Sequence, residues 1–392
     1  MSTHRSMPRT VIVADKFPPV LGGIQTFAYA FAATLPADRV IVVAPPHPDA
    51  PKLDADAPFE IIRHPAARLR VPGVGPTIAR IARAEGCTAA WFPAATPRGM
   101  IAPALRRAGV EWVVSSTHGH EYGWSQLPYG WSLVRSVAAR ADVVTHLTDV
   151  TLRRLRRVAP KGTRFERLTG GVDVDRFQPG AGGEDIRRRH GWGDRPVVTC
   201  VARLVPRKGQ DVLIRGLPSV LRDHPDTLLV VIGQGIDANR LRRLAAGAGV
   251  REHVVLTGAV PEGELPAYLD AADVFAMPSR PRKLGLDLEG LGLSSLEAAA
   301  AGKPVITGAH GGAPEVVIPG ETGLVVDGTN VSAVAGAVGE LLADPDRARR
   351  MGAAGRQFMT SSWTWEHLGG RLAGLLSGPA PTPAAAPTGG PR

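Results

Sequence analysis

Two carboxylates, Glu289 and Glu297, stand eight residues apart in the stretch EGLGLSSLEAAAAGKPVIT, which begins at residue 289. Between them runs a glycine-rich loop, followed by an alanine-rich run that is typical of a helix. Glycines let the backbone approach a ligand closely, and the free amides at the start of a helix bind phosphate. Carboxylates accept hydrogen bonds from hydroxyls. The pattern therefore predicts a ligand that carries both phosphate and hydroxyl groups, as a nucleotide sugar does.

Glu297 also has a purely structural interpretation. Residues Ser294 to Glu297 match a capping box, in which the glutamate folds back onto the start of its helix. Glu289, at the other end of the loop, has no such structural reason to be there. The two interpretations of Glu297 stay open at this point.

A pair of cations follows a strand-like run in VARLVPRKGQDVLI, at residues 201–214. Arg203 and Lys208 lie five residues apart, so both can reach one cleft from a single loop. A guanidinium and an ammonium together can stabilise a departing diphosphate as its charge grows. The alternative is two surface cations on a loop. Arg207, between them, is predicted to be a surface residue.

Gly22 and Gly23 stand between the first strand and a helix, in ADKFPPVLGGIQTF. Such a backbone can approach a phosphate or a sugar and donate its amides. A glycine pair at this place more often only makes the turn, so the signal is weak by itself.

These groups need elements that hold them, and the chain alternates short apolar runs with amphipathic helical segments. This alternation predicts βαβ units with parallel sheets in two doubly wound halves, whose strands end at a common cleft. The Pro/Gly-rich segment 177–185 between the halves reads as a linker. Strands are predicted at 10–14, 39–43, 88–92, 111–116 and 142–146, and again at 196–202, 227–233, 253–258, 273–278 and 304–308. Helices are predicted at 24–35, 129–141, 209–222, 237–248, 262–271, 295–301 and 330–343.

The chain of 392 residues is long enough for two domains, and its composition of 44% hydrophobic residues supports packed cores. We predict an N-terminal acceptor-binding domain at 1–178 and a C-terminal nucleotide-sugar-binding domain at 179–362. The helical segment 363–376 has no strand of its own to cover and is predicted to cross back to the first domain. The tail 377–392 is rich in Pro, Ala and Gly and is predicted to be disordered.

The net charge of +10 and the pI near 10.3 call for an acidic partner. Arginines cluster in LRRLRRV (152–158) and IRRRHGW (186–192), which suits nucleic acid, anionic lipid or a phosphorylated substrate. The alternative is a solvated helix face. Because aromatic residues make up only 5% and no nucleic-acid-binding motif accompanies the charge, we predict no nucleic-acid partner.

Cys87 and Cys200 form neither a disulfide framework nor a metal cluster. There is no apolar run of membrane-spanning length and no signal peptide at the start. These observations favour a cytoplasmic protein without a bound metal.

In combination, the motifs resemble the retaining GT-B glycosyltransferases of family 4. The resemblance rests on the E-x7-E of Glu289 and Glu297, the R-x4-K of Arg203 and Lys208, the Gly22–Gly23 loop and GGVDVDRFQP (170–179). Further segments are similar to the actinobacterial phosphatidylinositol mannosyltransferase branch: VPRKGQD, THGHE (117–121), DVFAMPSR, GLDLEGLG and GGAPEVV. The resemblance covers residues 8 to 376.

The resemblance implies roles for individual residues. Arg203 and Lys208 would hold the diphosphate, Glu289 would face the transferred sugar, and His118 would contact the sugar near its reacting carbon, with His120 as the alternative. These four are the implied catalytic residues: Arg203, Lys208, His118 and Glu289. The implied donor-binding residues are Gly22, Gly23, Arg203, Lys208, Val260, Met277, Leu291, Gly292, Leu293, Ser294 and Glu297. Among these, Val260 and Met277 would line the nucleobase pocket and Glu297 would bind the ribose.

The resemblance also implies a reaction. A hexose, in the first place mannose from GDP-mannose, would move with retention onto a phosphatidylinositol mannoside lipid at an anionic membrane surface. No metal and no cofactor would be needed, and the enzyme would lie on the inner face of the plasma membrane. The alternative is a family 4 transferase that uses a UDP-sugar and a soluble or natural-product acceptor.

The sequence departs from the family pattern at two places. TGGVD carries Gly170 where asparagine is common, and SRPRKLG (279–285) is more basic than expected.

Overall fold

The fold contains two parallel sheets, seen in a computed structural model that describes residues 7–20, 22–68, 73–119, 121, 123, 125–126, 128–282 and 287–378. The first sheet has seven strands in the order β3-β2-β1-β4-β5-β6-β7. All its pairings are parallel. The strands are β1 (Thr10–Val13), β2 (Val40–Ala44), β3 (Glu60–Arg63), β4 (Ala89–Phe92), β5 (Trp112–Ser116), β6 (Val143–His146) and β7 (Phe165–Arg167).

The second sheet has six strands in the order β10-β9-β8-β11-β12-β13, again all parallel. In both sheets the strand order reverses beside the first strand, which is the arrangement of doubly wound nucleotide-binding folds. The strands are β8 (Val197–Val201), β9 (Leu228–Ile232), β10 (Val254–Gly258), β11 (Val274–Met277), β12 (Val305–Gly308) and β13 (Gly323–Val326).

Helices cover both faces of each sheet, so the central strands are buried on both sides. Strands β1, β2, β4 and β6 are buried at every position. That is why they read as continuous Val/Ile/Ala runs and not as alternating patterns. The α-helices are Gly23–Thr34, Ala50–Asp56, Val74–Ala84, Ala95–Arg98, Ala102–Arg107, Pro128–Ala138, Asp149–Val158, Gly183–His190, Gln210–Asp223, Ala238–Gly247, Leu265–Asp270, Leu293–Ala300, Val331–Ala343, Pro345–Ser362 and Trp365–Leu376.

The last helix, Trp365–Leu376, packs on the first domain. Its indole ring at Trp365 meets the Phe31 ring edge-to-face at 5.3 Å, and Leu372 is fully buried in the same core as Phe31. The Trp112 indole N–H of β5 donates to the carbonyl of Leu375 (2.8 Å). The end of the described chain therefore completes the core beneath the first sheet. The predicted domain limits stay a prediction, and most of the predicted disordered tail, residues 379–392, lies outside the described residues.

The predicted α/β class with two doubly wound domains is confirmed. Each predicted strand corresponds to an observed one within a few residues. Strands β3, β7 and β13 were missed because EIIR, FER and GLVV are short and none of them is fully buried. The eighteen-residue helix Pro345–Ser362 was also missed, since the charged run at its start conceals its apolar face.

Candidate functional site

Most of the predicted site residues of the second domain gather at the carboxyl ends of β8 and β11. Lys208 lies in the turn after β8, Met277 ends β11, and the loop from Glu289 to Gly292 leads into the helix Leu293–Ala300. Ligands of doubly wound sheets bind at this edge. The fold therefore brings groups that are far apart in sequence into one place.

Glu289 is at the centre of this cluster and is 5% exposed. One of its oxygens, Oε2, accepts from the Lys208 ammonium at 2.8 Å and from the Arg207 guanidinium. Burial by itself would raise the pKa of Glu289, but the charges of Lys208 and Arg207 hold it below its ordinary value. Glu289 is thus an ionised carboxylate fixed between two cations.

Arg207 was predicted to lie on the surface, and this prediction was wrong. The residue is 8% exposed, and its Nε lies 2.9 Å from Asp287, in addition to its pairing with Glu289. A buried guanidinium needs such partners, because its desolvation is otherwise uncompensated. The signal that could have found it is the second acidic residue, Asp287, two positions before Glu289.

Arg203 takes a different place from Lys208. Its side chain is exposed in the loop after β8, and its carbonyl accepts from the Gln210 side-chain amide at 3.0 Å. The structure therefore brings Lys208, and not Arg203, onto Glu289. The predicted role of Arg203 at the diphosphate stays a prediction.

Gly292 closes the loop in front of the helix Leu293–Ala300. Its φ of 92° lies in the left-handed region, and a side chain there would meet Cε of Met277 at 2.9 Å. The sulfur of Met277 in turn lies 3.7 Å from both the Lys208 Nζ and the Ser294 Oγ. Both the backbone conformation and the close approach require glycine at this position.

The capping box predicted at Ser294–Glu297 was wrong. The helix begins at Leu293 with Gly292 as its N-cap residue, and no described side chain caps its first turn. Glu297 therefore lies in the second turn, without a structural duty at the helix start. Its ribose-binding role stays a prediction.

Burial raises the pKa of Glu297 from 4.5 to about 7, against the attraction of Arg176 and with the repulsion of Glu262. A carboxylate that is only half ionised near neutral pH is a group whose charge a bound ligand can shift. Hydroxyls that donate to it would favour its ionised form.

Met277 and Val260 were predicted to line the nucleobase pocket. Met277 is fully buried beneath Gly292, and Val260 is half-buried beside the core that contains Tyr268. Both lie at or just beyond the carboxyl end of a strand of the second sheet, Met277 in β11 and Val260 after β10. Their contact with a base stays a prediction.

The first domain contributes His118, which follows β5. Its Nε2 contacts the Pro93 carbonyl, its backbone amide donates to the Glu121 carboxylate at 2.9 Å, and its ring meets Phe27 edge-to-face at 4.6 Å. Because a carbonyl can only accept, Nε2 is the donor in this contact. His120 lies outside the described residues.

The two domains touch directly at the glycine-rich loops. A side chain at Gly290 would come within 3.0 Å of the His118 carbonyl, and one at Gly23 within 3.7 Å of Leu293. Leu293 also lies against Gly170, where a Cβ would meet it at 2.8 Å. Glycine at position 170 therefore gives room to Leu293, which an asparagine would displace.

An ion pair with a buried arginine was missed at the carboxyl ends of the central strands of the first sheet. Arg98 is 4% exposed and lies 3.0 Å from Asp15, at the point between β1 and β4 where the strand order reverses. The sequence offered only ADK after β1 and PRG after β4, with no spacing to link them. Among the described residues no group of three or more His, Cys, Asp or Glu is placed to hold a metal ion.

Comparison with known families gives two matches that together span most of the chain. Residues 183–358 match the model of glycosyl transferases group 1. Residues 21–176 match the model of glycosyltransferase family 4.

Close relatives and a solved structure agree with these matches. The chain is 46% identical to the GDP-mannose-dependent alpha-(1-6)-phosphatidylinositol monomannoside mannosyltransferase of Mycolicibacterium smegmatis, over 94% of this chain and 98% of that protein. It is 42% identical to the GDP-mannose-dependent monoacylated alpha-(1-6)-phosphatidylinositol monomannoside mannosyltransferase of Corynebacterium glutamicum, over 94% and 97%. HepE of Anabaena in complex with UDP shares the fold, with a TM-score of 0.80 at 17% identity over 94% and 99%. The chain therefore belongs to the GT-B glycosyltransferases of family 4.

Proposed function

We propose that this protein transfers mannose from GDP-mannose to a hydroxyl of a phosphatidylinositol monomannoside, with retention at the anomeric carbon. The observation that carries the donor and the acceptor is the near full-length similarity to proteins named for this reaction. Lys208, Glu289 and the start of the helix Leu293–Ala300 lie together at the carboxyl ends of the strands. This cluster supports transfer of a sugar from a nucleoside diphosphate.

Lys208 is the group best placed to receive the diphosphate. Its ammonium has three N–H donors, of which one serves Glu289 and another points toward the Met277 sulfur. It can therefore hold Glu289 and a phosphate oxygen at the same time. Arg203 would add a second charge from the same loop, and the amides around Leu291 to Ser294 would bind the remaining phosphate oxygens.

The environment of Glu289 favours a mechanism without a covalent glycosyl-enzyme. Lys208 and Arg207 both hold Oε2 of Glu289 and lower the pKa of the carboxyl group, which makes the carboxylate a weaker nucleophile. In front-face attack the leaving diphosphate takes the proton of the acceptor hydroxyl as the bond to the sugar breaks. Glu289 would then accept a hydrogen bond from a hydroxyl of the sugar, and His118 would contact the sugar from the first domain.

The acceptor is a lipid in this proposal, and the first domain carries features that suit an anionic membrane surface. Tyr129 and Trp131, on the helix Pro128–Ala138, are 84% and 42% exposed, and the Arg135 guanidinium lies 5.6 Å from the Trp131 ring centre. The neighbouring helix Asp149–Val158 exposes three arginines: Arg153, Arg156 and Arg157. Exposed aromatic rings beside basic side chains are typical of interfacial binding.

None of the described helices is both apolar enough and long enough to cross a membrane. From the exposed arginines of the helix Asp149–Val158, we propose peripheral attachment to the inner face of the plasma membrane through charge. Each arginine near the surface would add about 1 kcal/mol of binding free energy.

The test is the melting temperature of the full chain in the presence of GDP, UDP, ADP and their common sugars. A ligand that binds the folded state raises the melting temperature by mass action. We expect GDP and GDP-mannose to stabilise the protein selectively, and radiolabelled mannose to pass to phosphatidylinositol monomannoside. Selective stabilisation by UDP ligands would contradict the proposed donor and favour a UDP-sugar transferase.

Retention and metal independence are tested on the same preparation. The anomeric configuration of the product is read by NMR, and an inverted linkage would contradict the front-face mechanism. Transfer is expected to survive a chelator. Loss of activity that Mg²⁺ or Mn²⁺ restores would contradict metal independence.

A further inference from the structure

One side chain of the second domain, Glu315, reaches across to the first domain. It lies in the short turn Ala313–Val316 after β12. Its Oε1 accepts the backbone N–H of Asp149 at 2.9 Å, and its Oε2 lies 3.0 Å from the Arg167 guanidinium at the end of β7. Burial raises the pKa of this carboxylate overall, whereas the Val150 amide lowers it slightly. A single glutamate therefore contacts two separate elements of the other domain.

The helix that Glu315 contacts, Asp149–Val158, has a cap of its own that covers only part of its first turn. The Thr148 hydroxyl accepts from the Thr151 amide, and the Thr148 carbonyl accepts from the Leu152 amide. The amide of Asp149 donates instead to Glu315. A carboxylate at the positive end of a helix is favourably placed, so the second domain completes the cap of a first-domain helix.

The bridge is continuous with the donor loop. The Gly312 amide, three residues before Glu315, donates to the Glu289 carbonyl at 2.9 Å. Gly290, the residue after Glu289, lies against the His118 carbonyl of the first domain. Any motion of the first domain that breaks the Glu315 contacts therefore also moves His118 relative to Glu289.

We infer that Glu315 is a positioning residue that fixes the two domains relative to each other at the donor site. It does not touch the reacting groups. It acts by holding the start of the helix Asp149–Val158 and Arg167 against the second domain, so that His118 stays beside the loop Glu289–Gly292. The inference rests on the proposed function for its kinetic readout only.

The simpler alternative is that Glu315 makes a half-exposed ion pair of little consequence. The Arg167 and Glu315 side chains are 34% and 19% exposed, and exposed pairs often contribute little. The alternative predicts no effect beyond a small change of stability. The positioning role predicts changes at two places that the ion pair does not include: the amide of Asp149, and the turnover at the donor site.

The experiment compares Glu315→Gln, Glu315→Ala and Arg167→Gln with the wild-type chain. Glutamine keeps one acceptor oxygen but no charge, and alanine keeps neither, so the effects should rank alanine above glutamine. The matched control is Glu166→Gln. Glu166 lies on β7 next to Arg167 and pairs at 3.0 Å with Arg164 of its own domain, without reaching the second domain.

Three readouts are expected to move together in Glu315→Ala. Hydrogen exchange at the amide of Asp149, which donates to Glu315, should accelerate by about tenfold. The radius of gyration from small-angle scattering should increase. The kcat for mannosyl transfer should fall by about tenfold, because a small misplacement of reacting groups is costly, while the dissociation constant for GDP changes less than twofold. Arg167→Gln should add nothing to the loss of kcat in a Glu315→Ala background.

Unchanged exchange and kcat in Glu315→Ala, as in Glu166→Gln, would overturn the inference. Equal losses of kcat and of GDP binding would overturn it as well, because they would place Glu315 in the donor site itself. Exchange and scattering are measured without nucleotide. If the wild-type chain neither binds GDP nor transfers mannose, the proposed function fails, and these two readouts still decide the role of Glu315.

Discussion

Lys208 and Glu289 meet at 2.8 Å in the centre of the site, and the proposed mechanism makes Lys208 the principal partner of the leaving diphosphate. We expect Lys208→Ala to lower kcat for mannosyl transfer by about 10² to 10³, because a preorganised charge at the leaving group is lost. Steady-state kinetics measure this effect. Arg215→Ala, an exposed cation on the following helix, is the control and should keep wild-type turnover. Wild-type kcat in Lys208→Ala would refute the assignment.

Glu297 carries a prediction about pH and stability. Burial raises its pKa from 4.5 to about 7, so between these pH values the folded protein holds more protons than the unfolded chain. The free energy of unfolding from this group therefore falls as the pH rises from about 4.5 to 7. Glutamine at position 297 does not ionise, so the Glu297→Gln variant does not lose stability in this way. The difference in melting temperature between Glu297→Gln and the wild type should therefore shift in favour of the variant from pH 5 to pH 8. Glu252→Gln, on the exposed surface, should show no such difference between the two pH values.

At the scale of single elements, the helix Asp149–Val158 has two proposed roles: contact with the second domain and binding to the membrane surface. Its first turn receives Glu315, and its later turns expose Arg153, Arg156 and Arg157. We expect the triple change of these arginines to glutamine to weaken binding to vesicles that contain phosphatidylinositol by roughly 10²-fold, at about 1 kcal/mol per charge. Vesicle flotation at fixed ionic strength measures it.

The control for the vesicle experiment is a triple change on the second domain, which exposes three other arginines: Arg242, Arg243 and Arg251. The same charge is removed, so the net charge of both variants is equal. Equal weakening in both would show that only net charge matters and would contradict a membrane-facing surface on the first domain.

At the scale of the whole molecule, the two ends of the chain depend on each other. The helix Trp365–Leu376 fills the core beneath the first sheet, where Leu372 is fully buried near Phe31 and Trp91. We expect Leu372→Ala to lower the free energy of unfolding by about 2 to 5 kcal/mol, measured by urea denaturation. Arg371→Ala, its exposed neighbour on the same helix, should stay within about 0.5 kcal/mol of wild type. A similar small effect of Leu372→Ala would show that the last helix contributes little to this core.

Much of the fold could be predicted because buried parallel strands consist of consecutive apolar residues, which are visible in the sequence. TVIV at β1 and VVTCV at β8 are such runs, and the helices between them fixed the doubly wound class. The edge strands FER and GLVV could not be predicted, because they are only three and four residues long and only partly buried, so they leave no distinct apolar run in the sequence. The capping box failed for a related reason: Gly292, confined beside Met277, is the N-cap residue, so the helix begins two residues earlier than predicted.

By itself the sequence determined which residue types stand at the carboxyl ends of the strands, because motif spacing along one loop is local. Glu289, Lys208 and the glycine-rich loop belong to this part. Only the tertiary structure decided which of these groups pair. Arg207 is buried against Glu289 while Arg203 is exposed, and Glu315 contacts Arg167 from the other domain. Pairing depends on distances between elements more than eighty residues apart in the first case and more than a hundred in the second, and no local pattern encodes those distances.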